Sequence, residues 1–513
     1  SFHKDFLIGG EQNGYDVEKD WVDYSSLTNA HNYGIRVDLS SKVIFTDADG
    51  DRASLNGSYS QIFELNNSGT ATANFDYISQ IEHIIGSSKN DIIKGDNIIT
   101  TDGGGNTIFA GAGDDTIILD AGGTDYIDGG TGSNWLSLVD NYRGTIDLRN
   151  VSGSGGNTNG NVTLVNIQNI LGSNVSETVW GSSTTSKETF VMKGGNDYVL
   201  GGAGDDVYDM GTGNDRVSNN YGSDTIIGGA GVDTLDMWNN LGASQGANIV
   251  FNSILASNYT GLATGIGTLT LSNQTVVIES KTINGLSTLS NGTHNFYRIK
   301  DGQGAFDYLY QDGSNPDFEQ FFMTNYADTF VGSNNSDTVF GYAGNDTIWA
   351  MDGNDSIYAG DGNDTIFGVS GNNLLEGGAD DDLIFGGTGN DNIYGEAGDD
   401  TIYGKSGNNY LNGGANDDII YAGKGLDNID GGDGIDTLRF DGGTQRVVVN
   451  LGSNSLTYDG GSSLNANSFV NSHLNGGSIQ TGTVVNVENV DGTIYNDTIR
   501  GNDAKNVING GDG

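Results

Sequence analysis

From Gly332 to Arg439 the chain divides into twelve consecutive units of nine residues, without an insertion. The first is GSNNSDTVF, the second GYAGNDTIW and the last GGDGIDTLR. Position 6 is Asp in ten units and Asn in two, Asn373 and Asn409; position 8 is aliphatic in all twelve, from Val339 to Leu438. A unit this short cannot bury an apolar face alone, so successive units must stack into a quasi-one-dimensional array. Glycines at positions 1, 2 and 4 permit positive φ and close backbone approach, which predicts a tight loop. Positions 7 to 9 predict a short strand whose middle side chain points inward. Loop, strand, loop and strand make one coil of 18 residues, with loops stacked along two edges.

The same pattern recurs elsewhere. A second array runs from Met192 to Asp236 and includes MKGGNDYVL, GGAGDDVYD and MGTGNDRVS. A third, from about Gly86 to Ser137, holds AGAGDDTII and DAGGTDYID with one-residue slips. Another begins with GTIYNDTIR and stops in mid-repeat at GGDG, so the polypeptide is expected to continue past Gly513. The stretches between arrays resemble one another. WVDYSS, IRVDLS and IEHIIGSSKND occur in the first, WLSLVD, TIDLRN and VNIQNILGS in the second, and DTLRFD, VVVNLGS and VNVENVDGTIYND in the last. Their alternating residues predict strands. The predicted organisation is a β flanking module at 1–85, an irregular roll at 86–137, a flanking module at 138–191 and a roll at 192–238. A divergent β module follows at 239–331, then the long roll at 332–439, a flanking module at 440–491 and the start of a further array at 492–513. The expected fold class is all-β, with several parallel β-rolls alternating with strand-rich capping modules.

Composition removes several functions. There are 67 acidic against 21 basic residues, a formal net charge of −46, which repels nucleic acid and anionic membranes. Cysteine is absent, which excludes disulfides, thiolate metal sites and a Cys nucleophile. No apolar run approaches the length of a membrane span, and none of signal-peptide kind stands between Ser1 and Gly14. Low hydrophobicity with high charge is the mark of disorder. Yet 23 Tyr and 19 Phe argue for a folded chain that cations neutralise. No HExxH occurs, and His3, His31, His83, His294 and His473 are scattered. The one GxSxG, Gly242–Gly246, precedes no helical pattern as a nucleophile elbow requires. No catalytic residue is expected.

The nonapeptide G-G-x-G-x-D-x-U-x, where U is aliphatic, resembles the RTX, or haemolysin-type, repeat of secreted bacterial proteins. It covers somewhat under half of the chain. The flanking stretches are similar to those of the serralysin metalloproteases, whose zinc helix has no counterpart here. The resemblance implies calcium as the cofactor, each ion lying between a loop and the next one on the same edge. Ca²⁺ takes six to eight oxygen ligands, which Asp and inward-turned carbonyls supply. The implied ligands on one edge of the long roll are Asp346, Asp364, Asp382, Asp400, Asp418 and Asp436. The other edge has Asp337, Asp355, Asn373, Asp391, Asn409 and Asp427, and its Asn-containing sites are expected to bind more weakly. The second array contributes Asp197, Asp206, Asp215, Asp224 and Asp233; Asp115, Asp125 and Asp497 are candidates in the irregular arrays. Position 9 reads Trp349, Phe367, Phe385, Tyr403 and Tyr421, which predicts an outward aromatic ladder, either stacked and covered or open as a contact surface.

The resemblance further implies export by a type I apparatus with an uncleaved C-terminal signal, and folding on calcium outside the cell. The function expected is structural: part of a surface layer, an extracellular fibre or an adhesin scaffold. Its expected partners are calcium, further copies of the chain or a cell-surface polysaccharide, with no nucleic acid and no membrane span. The alternatives are the secretion and folding region of a larger secreted protease, lipase or polysaccharide epimerase, and a glycan-binding adhesin.

Overall fold

The computed structural model describes residues 6–8, 21–23, 35–44, 58–65, 71–79, 83–94, 107–119, 125–138, 145–149, 156–158, 162–218, 222–237, 248–250, 278–283, 292–300, 306–312, 315–316, 318–440, 446–452, 456–458, 462–464, 468–471 and 481–513. Among these every regular element is a β-strand. The chain divides into two compact units, Ser1–Asp233 with Thr282–Gly292, and Thr234–Lys281 with Thr293–Gly513.

The second unit holds the long roll. One ladder of parallel strands passes through Thr329–Val331, Thr347–Trp349, Thr365–Phe367, Leu383–Phe385, Thr401–Tyr403, Ile419–Tyr421 and Thr437–Arg439. The opposite ladder passes through Gln320–Phe322, Thr338–Phe340, Ser356–Asp361, Leu374–Ala379, Asn392–Ala397, Tyr410–Ala415 and Asn428–Asp433. Ile348 faces Ile366, and Ile384 faces Ile402, one 18-residue coil apart. Every aliphatic at position 8 between Val339 and Leu438 is buried to within 1% of full burial. Each such side chain contributes about 1.5–3 kcal/mol of hydrophobic stabilisation. The strands are only three to six residues long, because a loop must turn the chain before each new strand.

In the first unit, one parallel ladder comprises Ile92–Lys94, Thr116–Leu119, Trp135–Leu138, Asn169–Leu171, Thr189–Val191, Val207–Asp209 and Thr225–Ile227. Facing it, Thr145–Asp147, Thr178–Trp180, Tyr198–Leu200 and Arg216–Ser218 form a second series. His83–Ile85, Thr107–Phe109, Asp125–Asp128 and Val162–Val165 form a third.

The flanking stretches do not interrupt these ladders. In unit two, Val447–Asn450 leaves the roll, pairs antiparallel with Ser468–Asn471, and that strand pairs with Gly482–Val485. Gly482–Val485 then stacks parallel on Asn428–Asp433, and Asn489–Asp491 on Thr437–Arg439. The stretch is thus an excursion between two stacked coils. Arg439 closes it by an ion pair at 2.7 Å with Asp491, 52 residues on. The kinship seen in the sequence has a structural counterpart. Ile35–Ile44, Thr145–Asp147, Asn248–Val250 and Val447–Asn450 each pair parallel with the first strand after their module's closing loop.

The aromatic ladder is present but is not an open stripe. Trp349, Phe367, Phe385, Tyr403 and Tyr421 stack in turn with centroids 4.2–5.4 Å apart and interplanar angles of 3–12°. That separation follows the strand spacing of about 4.8 Å. None of the five is more than 7% exposed, and Met351, Val369, Leu383 and Ile419 pack against them. The Lys405 ammonium lies 4.4 Å from the Tyr403 centroid, within cation–π range. Close ring stacking favours covering this surface, which removes it as an exposed contact stripe.

Candidate metal centre

Position 6 immediately precedes each strand, so stacking the strands stacks the side chains. The carboxylates meet through the backbone. Asp346 N–H donates to Asp364 Oδ1 at 2.7 Å, Asp364 N–H to Asp382 Oδ1 at 2.8 Å, and Asp382 N–H to Asp400 Oδ1 at 2.8 Å. Asp400 N–H reaches Asp418 Oδ1 and Asp418 N–H reaches Asp436 Oδ1, both at 2.9 Å. The first unit repeats this, with Asp197 N–H on Asp215 Oδ1, Asp215 N–H on Asp233 Oδ1 and Asp206 N–H on Asp224 Oδ1. A second, opposed ladder runs outside it at position 5. Asn372 N–H donates to Asn354 Oδ1, Asn390 N–H to Asn372 Oδ1 and Asn408 N–H to Asn390 Oδ1, at 2.7–2.8 Å. The two ladders clamp each loop to both neighbours.

The second carboxylate oxygen sets the chemistry. Oδ2 of Asp346, Asp364, Asp382, Asp400, Asp418 and Asp436 is buried without a hydrogen-bond partner. The same is true of Oδ2 of Asp355, Asp391 and Asp427, and of Asp115, Asp197, Asp206 and Asp215. A buried carboxylate oxygen without a donor is costly unless a cation or proton satisfies it. Beside Asp346, Asp382, Asp391, Asp400, Asp418 and Asp436 the residue at position 1 is glycine, whose missing Cβ leaves the space in front of Oδ2 open, whereas Ala350, Ala359 and Ala422 stand there before Asp355, Asp364 and Asp427. A Cβ at Gly386 would lie 2.7 Å from Asp391 Oδ2 and 3.1 Å from the Gly404 carbonyl oxygen of the next coil. A Cβ at Gly341 would lie 2.5 Å from Asp346 Oδ2. Gly389, at position 4, holds φ +123, where only glycine is at ease. Asp380 and Asn416 replace that glycine yet keep positive φ, 76° and 86°, which short polar side chains tolerate best.

Burial and neighbouring carboxylates make these groups poor acids. Burial, with the charges of Asp328 and Asp364, pushes Asp346 up to about 9. Burial, with Asp364, Asp400 and Asp380, pushes Asp382 to about 8, and burial beside Asp400 and Asp436 does the same for Asp418. Asp364 and Asp400 are raised to about 7 by burial, against the pull of their backbone donors. On the other edge burial carries Asp391 and Asp427 only to about 6, beside Asn373 and Asn409 rather than beside carboxylates. Asp355, beside Asp337, rises to about 8. In unit one burial raises Asp197 to about 8, Asp115 to about 7, and Asp206 and Asp215 to about 6.

A second kind of loop satisfies its own carboxylate. Ser333 N–H donates to Asp337 Oδ2 at 2.8 Å, and its hydroxyl to Oδ1 at 3.1 Å. Thr324 does the same for Asp328, both at 2.8 Å, Ser87 for Asp91 at 2.6 and 2.8 Å, and Thr493 for Asp497 at 2.5 and 2.9 Å. Ser173 donates its hydroxyl and N–H to Glu177. These loops follow the flanking stretches, at or near the start of each array. In a third kind Asn takes the Asp position. Asn373 Nδ2 donates to the Gly368 carbonyl at 3.2 Å and Asn409 Nδ2 to that of Gly404 at 2.9 Å.

Most candidate ligands therefore share two edges of one roll, or the equivalent edges of unit one. Asp115 accepts N–H of Asp91 at 2.7 Å, but its own N–H goes to Asn134 Oδ1 rather than to Asp125. Asp125 is buried at the start of Asp125–Asp128, on the opposite ladder. Asp497 lies in a hydroxyl-closed loop and accepts N–H of Val447 at 2.8 Å. Sequence reasoning passed over Asp328, one nonapeptide before Asp337, whose N–H donates to Asp346 Oδ1. It also passed over Glu177 and Glu188, whose N–H groups donate to Asp197 and Asp206 at 2.7 Å, and Glu488, which accepts from Asp436. After Asp328, Glu177 and Glu188 the readable signal was the strand triplet, TVW or TFV; at the two glutamates the longer carboxylate hid it. The Gly242–Gly246 segment lies outside the described residues.

Among the described residues no three His, Cys, Asp or Glu side chains converge on one point. Position 6 of each loop brings one carboxylate to the cradle, and backbone carbonyls such as that of Gly404 lie beside it. An all-oxygen donor set with one charge per loop fits a hard cation such as Ca²⁺ shared between coils. Comparison with protein families matches the RTX calcium-binding nonapeptide repeat (4 copies) to residues 94–123, 193–217, 218–236, 324–357, 331–366, 341–375, 367–402, 376–411, 403–438 and 487–513. A search of curated proteins gives no match.

Proposed function

Because this chain is an RTX-type protein whose repeats are calcium-binding β-rolls, we propose that it is a secreted structural protein, part of a bacterial surface layer, extracellular fibre or adhesin scaffold, that folds on calcium outside the cell. The observation that carries this is the row of buried Oδ2 atoms without protein donors, from Asp346 to Asp436. A chain with so many unsatisfied buried carboxylates is poorly stable until a divalent cation binds between coils. Metal binding is then coupled to folding, because the site does not exist in the unfolded chain. In this reading the chain is exported unfolded and folds in the calcium-rich exterior.

The structural role is supported by the repetition of the same ladder in both units. Carboxylates of the kind that pair for acid–base catalysis are here engaged one coil apart, each accepting a neighbour's amide. The reading accordingly assigns no catalytic residue. Self-association is the partner it favours, since the covered aromatic ladder offers no open surface for glycan stacking.

Far-UV circular dichroism and small-angle scattering test the switch. Chelation with EDTA should weaken the β signal, lower the thermal midpoint and expand the chain, and added calcium should restore all three. A chelated sample whose β signal, midpoint and dimensions equal those in calcium contradicts it. Electron microscopy in millimolar calcium tests the scaffold, with lattices or fibres expected and dispersed monomers counting against it.

A further inference from the structure

Among the described residues asparagine replaces the ladder aspartate at Asn506, whose side chain bonds within its own loop to Asn502, and at three inner positions, Asn373 and Asn409 in unit two and Asn134 in unit one. In each of the three, Oδ1 keeps the role of the aspartate oxygen. It accepts the preceding coil's amide, from Asp355, Asp391 and Asp115 respectively, at 2.9 Å. That bond fixes the side-chain amide orientation, because only an oxygen can accept it. Nδ2 is therefore directed to the place where aspartate presents Oδ2. The glycine at position 1 measures the equivalence. A Cβ at Gly386 would lie 2.7 Å from Asp391 Oδ2, and one at Gly368 would lie 2.9 Å from Asn373 Nδ2.

The partners of Nδ2 are carbonyls that otherwise line the cradle. Asn409 Nδ2 donates to the Gly404 carbonyl at 2.9 Å. Asn134 Nδ2 donates to the Gly129 carbonyl of its own loop at 2.8 Å and to the Asn166 carbonyl of the next coil at 3.1 Å. One amide thus joins two successive coils, the task a bridging cation performs. An N–H donor pointed into the cradle repels a cation and takes the lone pairs that would bind it.

We infer that Asn134, Asn373 and Asn409 close their loops with their own amide in place of a calcium ion. In the long roll the edge from Asp346 to Asp436 then carries calcium in an unbroken file. The other edge alternates, with cation loops at Asp355, Asp391 and Asp427 separated by amide loops at Asn373 and Asn409. Those two asparagines stand 36 residues apart, so every second coil on that edge is latched without metal. The consequence is a roll with unequal edges, one that opens when calcium is withdrawn and one that stays partly closed. This rests on the rolls being calcium-binding, and goes beyond it in assigning which loops are not.

The test is calcium stoichiometry of the full chain, by equilibrium dialysis against calcium chloride and elemental analysis, with folding checked by circular dichroism. Asn373→Asp and Asn409→Asp should each bind at least one ion more than the parent, and should lose thermal stability in EDTA. Asp391→Asn should bind at least one ion fewer and keep more β signal than the parent in EDTA. Folded Asn373→Asp and Asn409→Asp proteins with the parent's stoichiometry overturn the inference while leaving calcium binding intact. A parent that binds no calcium overturns the function proposed above as well.

Discussion

Asp346 donates its backbone N–H to Oδ1 of Asp364 at 2.7 Å, while Asp364 Oδ2 is buried with no hydrogen-bond partner. The first half of that relationship holds successive coils in register. The second half creates a demand that the polypeptide does not meet. Stacking the repeat stacks the demand, so the feature that orders the roll also makes it dependent on cations.

The pH dependence should reverse with calcium. The ladder aspartates have folded-state values raised by burial to about 6–9, against 3.8 for the ordinary group. A raised acid favours the folded state at low pH, and that advantage is lost as pH rises through the folded value. In EDTA the thermal midpoint should therefore fall progressively as pH rises from about 4.5 to 9. In saturating calcium it should rise over the same range, because protons compete with the metal. Melts by circular dichroism at several pH values check this; parallel curves in EDTA and calcium would refute it.

Asp382 serves two coils, accepting N–H of Asp364 and donating to Asp400. Asp382→Ala should weaken both adjoining calcium sites and leave the Asp364 amide without its acceptor. The amide alone should cost about 1–3 kcal/mol. A calcium titration followed by tyrosine fluorescence should show a higher midpoint and a shallower transition.

Gly386 is not in the left-handed region, so alanine there is limited by space rather than by φ. Gly386→Ala copies the alanine that Ala350, Ala359 and Ala422 place at position 1 of other cation loops, so elemental analysis should find the parent's number of bound ions, with circular dichroism in calcium little changed. Gly389→Ala, at φ +123, should instead cost stability through backbone strain in both calcium and EDTA.

The hydroxyl-closed loops should be indifferent to calcium. Ser333→Ala removes the 3.1 Å donor to Asp337 Oδ1 but leaves the backbone donor to Oδ2. A loss of about 1 kcal/mol is expected. Chemical denaturation should give the same difference from the parent with calcium and with EDTA.

Ile384 is wholly buried between Ile366 and Ile402 in the ladder. Ile384→Ala should destabilise the calcium-loaded roll by about 2–5 kcal/mol, through lost burial and the cavity left behind. Urea denaturation in calcium checks the magnitude.

The nine-residue period determined a great deal about this protein without any structure. A strict repeat places the same residue at the same point of every coil. Ile348 and its successors therefore had to be core, Asp346 and its successors had to form an edge, and an all-oxygen edge had to call for a hard cation. Those conclusions hold because each follows from a local spacing copied many times. What only the tertiary structure decided concerns partners from outside the repeat unit. Asp337 and Asp346 occupy the same position, yet one is satisfied by Ser333 and the other retains a buried oxygen without a partner. A serine four residues earlier acquires meaning only once the loop curls its hydroxyl onto the carboxylate. Asn373 looked like a weaker version of aspartate until the amide of Asp355 fixed which of its two atoms enters the cradle. The flanking strands looked like separate caps, and Arg439 meets Asp491 because the intervening chain leaves the roll and returns to it in register. Burial of the Trp349–Tyr421 stack likewise depends on what surrounds it. Periodicity is a property of neighbours along the chain, whereas satisfaction of a polar atom depends on whichever segment the fold brings next to it.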